Sequence, residues 1–318
     1  MYNFEHTIQS LNWNLKPINL YRPIEYTLES GGKRLRPMLV NIASKMFGGY
    51  DQETIDKAGL AIEVFHNFTL LHDDLMDNSP SRRNKQTVHI KWNANTAILS
   101  GDAMLIKAYE FLQQIPQRYW SNAIPLFTQT AIEVCEGQQY DMDFEKDDNV
   151  SIDQYFEMIR LKTAVLLACS LKMGAIVADA TVENQKTIYD IGIALGIAFQ
   201  LKDDYLDTFG SFETLGKRIG DDILCYKKTF LLISALKEAD DKTRQKIQYI
   251  VRAKDISDKD KISFVTNIFR ELKIDELCEK EIDKYYTKAT QLLDDLSVEE
   301  HKKEVLQALI KKLKVRDK

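Results

Sequence analysis

The sequence predicts an all-α protein, and three observations carry that expectation. All six prolines fall at or before Pro125, so the chain from residue 126 onward has no proline break. Glycines number only 13, too few for a sheet-rich chain with many tight turns. Apolar residues recur at steps of three and four, and no segment alternates apolar and polar positions between hairpin turns. Helices are accordingly expected over 5–12, 18–30, 36–48, 52–77, 93–114, 120–144, 151–178, 184–207, 227–238, 241–252, 260–270 and, in pieces, 274–313.

In chain order, Gly31-Gly32 before Lys33-Arg34-Leu35-Arg36-Pro37 reads as a turn feeding a helix start. The stretch from Thr163 to Ala180 is the most apolar of the chain, but Lys172 and Asp179 interrupt it, so it predicts a buried helix and no membrane span. Ile188, Ile191, Leu195, Ala198 and Phe199 form a core-facing helical stripe. Phe209-Gly210 to Gly220 marks a break, and the charged run from Lys254 to Lys261 reads as a loop. With 318 residues, 44% hydrophobic and 29% charged, and with no linker or low-complexity tract, a single domain over 1–318 is expected.

The chemistry is announced by an acidic pattern written twice, Asp73-Asp74-Leu75-Met76-Asp77 and Asp203-Asp204-Tyr205-Leu206-Asp207. With 28 aspartates, one such DDxxD is expected by chance about 0.2 times. The chain holds six Asp-Asp pairs, and only these two have a third Asp three residues on. Both follow apolar runs, Phe68-Thr69-Leu70-Leu71 and Ile197-Ala198-Phe199-Gln200-Leu201, which a solvated charge cluster seldom does. Residues four apart share a helix face, so Asp73 with Asp77 and Asp203 with Asp207 each project a carboxylate pair. Such pairs repel unless a hard divalent cation joins them, and Mg²⁺ combines one or two carboxylates with water and substrate phosphate oxygens.

His66, Thr69, Asp73 and Asp77 lie within about 40° of one line on a 3.6-residue helix, which points His66 toward the carboxylates' side. Arg82 and Arg83 follow the first motif directly, and guanidinium forks suit phosphate oxygens. Lys33 with Arg36, Lys162, and Lys217 with Lys227-Lys228 add further cations. Together they suggest an enzyme holding two diphosphates, one through metal and one through basic side chains alone. The net charge of −5 and pI near 5.7 argue against a nucleic-acid partner. Cys135, Cys169, Cys225 and Cys278 form no C-x-x-C pair and read as reduced, mostly core cysteines. With no basic-then-apolar leader at Met1-Tyr-Asn-Phe-Glu-His, a cytoplasmic protein is expected.

The strings Gly31-Gly-Lys-Arg-Leu-Arg-Pro37, Leu71-His-Asp-Asp-Leu-Met-Asp-Asn-Ser-Pro-Ser-Arg-Arg83 and Gly196-Ile-Ala-Phe-Gln-Leu-Lys-Asp-Asp-Tyr-Leu-Asp207 resemble the signature stretches of the trans-isoprenyl diphosphate synthases, the polyprenyl synthetase family. Weaker matches are Ser100-Gly-Asp102, Gly137-Gln138, Lys162-Thr163, Gly216-Lys217 and Asp222-Ile-Leu-Cys-Tyr-Lys-Lys-Thr229. The resemblance covers residues 25 to 235 and implies the isoprenoid synthase fold, an orthogonal all-α bundle around a deep central cavity, usually as a homodimer. It implies head-to-tail condensation of isopentenyl diphosphate with an allylic diphosphate through an allylic carbocation. By the same resemblance Asp73, Asp77 and Asp203 would ligate three Mg²⁺ ions on the allylic diphosphate, with Asp207 supporting nearby. Arg82, Lys162 and Lys217 would add charge to that diphosphate, and Lys33, Arg36, His66 and Arg83 would hold isopentenyl diphosphate. Gln200, Thr163 and Lys227 match family positions near the reacting centre, and the released diphosphate would take the proton. Asn84 and Gln86 stand where the family commonly has Gly and Pro, so a local backbone difference is expected there.

Product length in the family depends on the residues four and five positions before the first motif, here Thr69 and Phe68. One small and one bulky residue resemble the geranylgeranyl (C20) synthases, with farnesyl (C15) or a longer polyprenyl product as the alternative. The helical wheel sets Phe68 about 140° from Asp73, on the flank, so ordinary core packing is its competing role. A terpene cyclase would need no second diphosphate site, and its second metal motif normally mixes Asn, Ser and Glu. A regulatory subunit of a heteromeric prenyltransferase would carry degraded acidic motifs, and here both are complete.

Overall fold

The computed structural model describes residues 4–210 and 219–315. These are almost entirely helical, and they divide into two compact units. The first comprises Met1–Thr128, Cys169–Ile188 and Ser297–Lys303, the second Gln129–Ala168, Tyr189–Leu296 and Glu304–Lys318.

In the first unit, helices α1 (Phe4–Gln9), α2 (Ile18–Leu28) and α3 (Leu35–Met46) lead to the 25-residue α4 (Gln52–Met76). Asp51 starts α4 by accepting the backbone N–H of Thr54, which satisfies one of the first-turn donors that no helix can pair internally. A two-residue ladder, β1 (Ser81–Arg82) against β2 (Lys85–Gln86), then precedes α5 (Val88–Lys91) and α6 (Ala94–Gln113). No strand was expected here, and the ladder is too short to leave an alternating pattern in the sequence. Helix α4 packs most extensively on α6. At Gly101 the absent side chain makes room for His72, whose Nε2 would lie 2.1 Å from a Cβ there. His72 Nε2 instead sits 3.1 Å from the Ile98 carbonyl oxygen. Phe65 and Tyr109 meet the Phe127 ring edge-on at 5.3 and 5.0 Å, closing the apolar centre of this unit.

The second unit takes the later part of α7 (Trp120–Phe144), then α8 (Ile152–Ile159), which a reciprocal Ser151/Gln154 capping box starts. The helix expected to run unbroken over 151–178 is interrupted by a π turn at Arg160–Ala164 before α9 (Val165–Ile176). Other helices pack closely against it. A Cβ on Gly137 of α7 would lie 2.3 Å from the Lys162 amide nitrogen, and one on Gly196 of α10 (Val182–Phe209) 2.3 Å from Ala164 Cα. Two glycines thus let two helices press directly on the backbone of that turn. Later helices are Asp221–Leu224, Phe230–Glu238, Asp241–Arg252, Asp258–Glu271 and Ile274–Asp294. Helix formation over 227–238 therefore waits until Phe230, and the expected loop at 254–261 ends at Asp258. Leu201, Leu231, Ile247, Val265, Cys278 and Leu293 are fully buried in this unit. None of the four cysteines is in a disulfide, but Cys135 and Cys225 are exposed, so only Cys169 and Cys278 belong to the core. No helix among the described residues is long and apolar enough to cross a membrane.

Candidate active site

In the first unit, the Gly31-Gly32 turn bends through left-handed backbone (φ 77° and 140°) that favours residues without a Cβ. It leaves Lys33 exposed and sends Arg34 inward, where Glu5 and Glu63 each pair with it at 2.8 Å. Arg36 Nη1 lies 3.0 Å from His66 Nε2. A guanidinium only donates, so that imidazole nitrogen accepts and Nδ1 carries the proton. Burial first, then the charges of Arg36, Arg83, Arg82 and Arg34, hold His66 well below its ordinary pKa and therefore neutral.

The hairpin after α4 brings two more arginines to this unit. Arg83 donates to the Gly31 carbonyl, and its guanidinium covers Gly32 so closely that a Cβ there would lie 2.9 Å from Nη1. Tyr26 Oη donates to Gln86 O at 2.8 Å, and Lys85 Nζ to Glu29 O at 3.2 Å, which dock the hairpin on the end of α2. Lys33, Arg36, His66 and Arg83 are therefore carried by elements that touch one another.

Arg82 turns toward the first acidic motif, its Nε donating to Asp74 Oδ1 at 2.7 Å and its Nη2 3.6 Å from Asp73 Oδ2. Asp74 is buried, Asp73 half-buried, and Asp77 exposed at the C-cap of α4. Burial pushes the Asp74 carboxyl up to about 6, and the charges of Asp73 and Asp77 push the same way against the pull of Arg82. Thr69 Oγ1 donates back to the His66 carbonyl at 2.8 Å. Phe68 is 8% exposed and packs its ring against Phe65 and His72.

In the second unit, the π turn holds out Lys162 and Thr163, and π turns recur at functional sites. Lys162 Nζ donates to Asp141 Oδ2 at 2.6 Å, and Lys227 Nζ lies 3.8 Å from the same oxygen. Burial would raise the Asp141 carboxyl, but the two ammonium groups prevail and hold it below its ordinary value. Thr163 Oγ1 donates to Gln200 Oε1 at 2.9 Å, and Gln200 Nε2 to Asp204 Oδ1 at 2.8 Å. Tyr155 Oη closes the chain on Asp204 Oδ2 at 2.6 Å. Burial first, then the Asp222 charge, pushes Asp204 up to about 8. Asp203 is half-buried, whereas Asp207 is fully buried and accepts the Asp222 backbone N–H at 3.0 Å. Lys217 lies outside the described residues.

Asp141 and Tyr155, which arrange these groups, escaped the sequence reading because neither belongs to a motif. Asp141 sits one turn beyond the noted Gly137-Gln138, and that proximity was the available signal. The sequence profile described as Polyprenyl synthetase matches residues 17–269. The chain belongs to the polyprenyl synthetase family. A geranylgeranyl diphosphate synthase of Sulfolobus acidocaldarius is 36% identical over 282 residues, 87% of this chain and 84% of that one. A crystal structure of a geranylgeranyl pyrophosphate synthase superposes with a TM-score of 0.93 at 40% identity, over 99% of this chain and 97% of that one. A polyprenyl synthase of Caulobacter crescentus, described as complexed with calcium and isoprenyl diphosphate, has a TM-score of 0.84 at 27% identity over 98% and 92% of the two chains. The fold is thus the all-α isoprenoid synthase fold expected from the sequence.

The departures from the polyprenyl synthetase pattern have a local account. Arg83 and Asn84 stand at φ 51° and 61°, the two left-handed centres of a tight hairpin turn. Asn is among the side chains that tolerate this region best, so it can occupy a position where Gly is common. Among the described residues no cluster of three or more His, Cys, Asp or Glu converges as a ready metal cage. The donor set nevertheless fits magnesium, which uses few carboxylates and completes its shell with water and phosphate oxygens. Burial first, and then like charge from Asp73 and Asp77 within the first unit and from Asp222 and Asp203 within the second, raises Asp74 and Asp204, and a bound cation would relieve the like-charge part.

Proposed function

We propose that the protein is a magnesium-dependent short-chain trans-prenyltransferase that joins isopentenyl diphosphate head-to-tail to an allylic diphosphate and makes geranylgeranyl diphosphate (C20). One observation carries the reading: both acidic motifs are built alike. In each the middle aspartate is buried and committed to protein partners, Asp74 to Arg82 and Asp204 to Tyr155 and Gln200, while the leading aspartate stays half-open. The relatives named geranylgeranyl synthases support the product.

On this reading Asp73, Asp77 and Asp203 hold the cations, three in number, with Asp207 supporting from its buried position. Magnesium, when bound, neutralises the charge that develops on the leaving diphosphate. Arg82, Lys162 and Lys217 add fixed positive charge to the same diphosphate, which favours departure over return. Lys33, Arg36 and Arg83 grip isopentenyl diphosphate, and neutral His66 offers its Nδ1–H. The allylic C–O bond breaks to leave a carbocation and diphosphate, the isopentenyl double bond attacks that carbocation to form a carbon–carbon bond, and the released diphosphate accepts the proton lost from isopentenyl C2. Thr163 and Gln200 orient groups near the reacting carbons, and Lys227, beside Lys162 on Asp141, binds the same diphosphate as Lys162. Apolar neighbours of the motifs exclude water that would quench the cation. Phe68, with Thr69, sets the limit of the growing chain.

We assign residues 1–318 to one catalytic domain acting as a homodimer in the cytoplasm. The exposed apolar face of α6, with Leu99 at 61% and Ile106 at 68% exposure, supports association, and four cysteines outside any disulfide suit a reducing compartment. Incubation with labelled isopentenyl diphosphate and dimethylallyl, geranyl or farnesyl diphosphate tests the proposal. Chelator-sensitive extension to C20 is expected, and failure to extend any primer overturns it.

A further inference from the structure

We infer that Tyr226, clamped between Lys228 and Arg252, is a positioning residue that fixes Lys227 for diphosphate binding; the inference rests on the role proposed above for Lys227. The helix Asp221–Leu224 ends with Tyr226 N–H bonded to Ile223 O at 3.1 Å and Lys227 N–H to Asp222 O at 2.9 Å. This paired pattern demands a left-handed residue at its corner, a place that glycine usually fills. Tyr226 occupies it at φ 53°, so a bulky side chain is kept where the backbone disfavours one.

The ring has partners that account for it. Lys228 Nζ lies 3.9 Å from its centroid and the Arg252 guanidinium carbon 4.8 Å, so two cations contact one buried aromatic. Asp148 ties both cations together, at 2.5 Å from Arg252 Nη2 and 3.9 Å from Lys228 Nζ. The Lys228 side chain is only 2% exposed and its ammonium makes no hydrogen bond among the described residues, so ring and carboxylate are what hold it. With Tyr226 and Lys228 both anchored, the intervening Lys227 is left directed at Asp141, which it shares with Lys162. The clamp therefore sets the separation of two cations meant for one diphosphate.

Steady-state kinetics of Tyr226→Asn, Tyr226→Phe and Arg252→Met test this. Asn accepts left-handed backbone, so Tyr226→Asn keeps the turn and removes the ring. Its KM for the allylic diphosphate should rise about tenfold, equivalent to about 1.4 kcal/mol, with kcat within about twofold. Tyr226→Phe should behave as wild type, because the ring is the clamped group. Arg252 is half-exposed, so its loss threatens folding least, and Arg252→Met should raise the same KM about threefold. Wild-type KM in both Tyr226→Asn and Arg252→Met, or a Tyr226→Phe as impaired as Tyr226→Asn, would overturn the inference. A wild-type protein without condensing activity would instead sink the proposed function and, with it, the positioning role inferred for Tyr226.

Discussion

Gly137→Ala should damage catalysis far more than its single methyl suggests. The added Cβ falls 2.3 Å from the Lys162 amide nitrogen and 2.7 Å from both Leu161 C and Lys162 Cα. Ordinary contact begins at 3.4 Å, so α7 or the π turn must retreat by 3.4 − 2.3 = 1.1 Å. The obstructing atoms are all backbone, and no flexible side chain can absorb the difference. Overpacking of this kind costs about 1–3 kcal/mol, which for a protein of this size lowers Tm by about 1.5–4.5 °C. The same displacement carries Lys162 away from Asp141, now 2.6 Å apart, and a misplacement of about 1 Å can cost about a hundredfold in rate. Thermal unfolding by circular dichroism and kcat/KM with an allylic primer measure the two effects. A variant with unaltered Tm and activity within about twofold of wild type would refute the packing argument.

Asp73→Ala or Asp203→Ala should each reduce magnesium-dependent turnover at least about a thousandfold, about 4 kcal/mol of barrier, while circular dichroism shows the fold intact; near-normal condensation would remove that residue as a cation ligand. Phe68→Ala should lengthen the product, since the ring now packed on Phe65 and His72 would leave space behind, and chromatography of the released prenyl alcohols checks it. The unfolded chain binds a proton at His66 near pH 6.5, whereas the folded imidazole resists it, so the unfolded state binds more protons below that pH. Stability from this group is complete above pH 6.5 and is lost as pH falls below it. Denaturant titrations at pH 7.5 and 5.0 should therefore show a smaller acid loss in His66→Gln than in wild type.

What the sequence revealed, and what it hid, follows the range of the forces involved. Helix 52–77 was legible because its periodicity and its acidic end are local, and α4 spans Gln52–Met76 with Asp77 as its cap. Lys33, Arg36, His66 and Arg83 were gathered from charge type and from resemblance, and the first unit carries them on elements in contact. The π turn was invisible from within its own segment, since Gly137 and Gly196, which press upon it, lie more than twenty residues away in each direction. Asp141 and Tyr155 were missed for the same reason: a carboxylate or phenol acquires its role from a partner that only tertiary folding supplies. The cysteines were over-assigned to the core, because composition says nothing of where a small residue finally points.

The two letters of each Asp-Asp pair are not synonyms. Asp74 and Asp204 are locked into fixed distances by an arginine in one case and by a phenol and an amide in the other, so lengthening either by one methylene would force its partners to move. Their neighbours Asp73 and Asp203 are only half-buried. Homologues in which a glutamate replaces one aspartate should therefore be ranked by which letter changed, and a score that weighs all acidic positions equally will misjudge which of them still work.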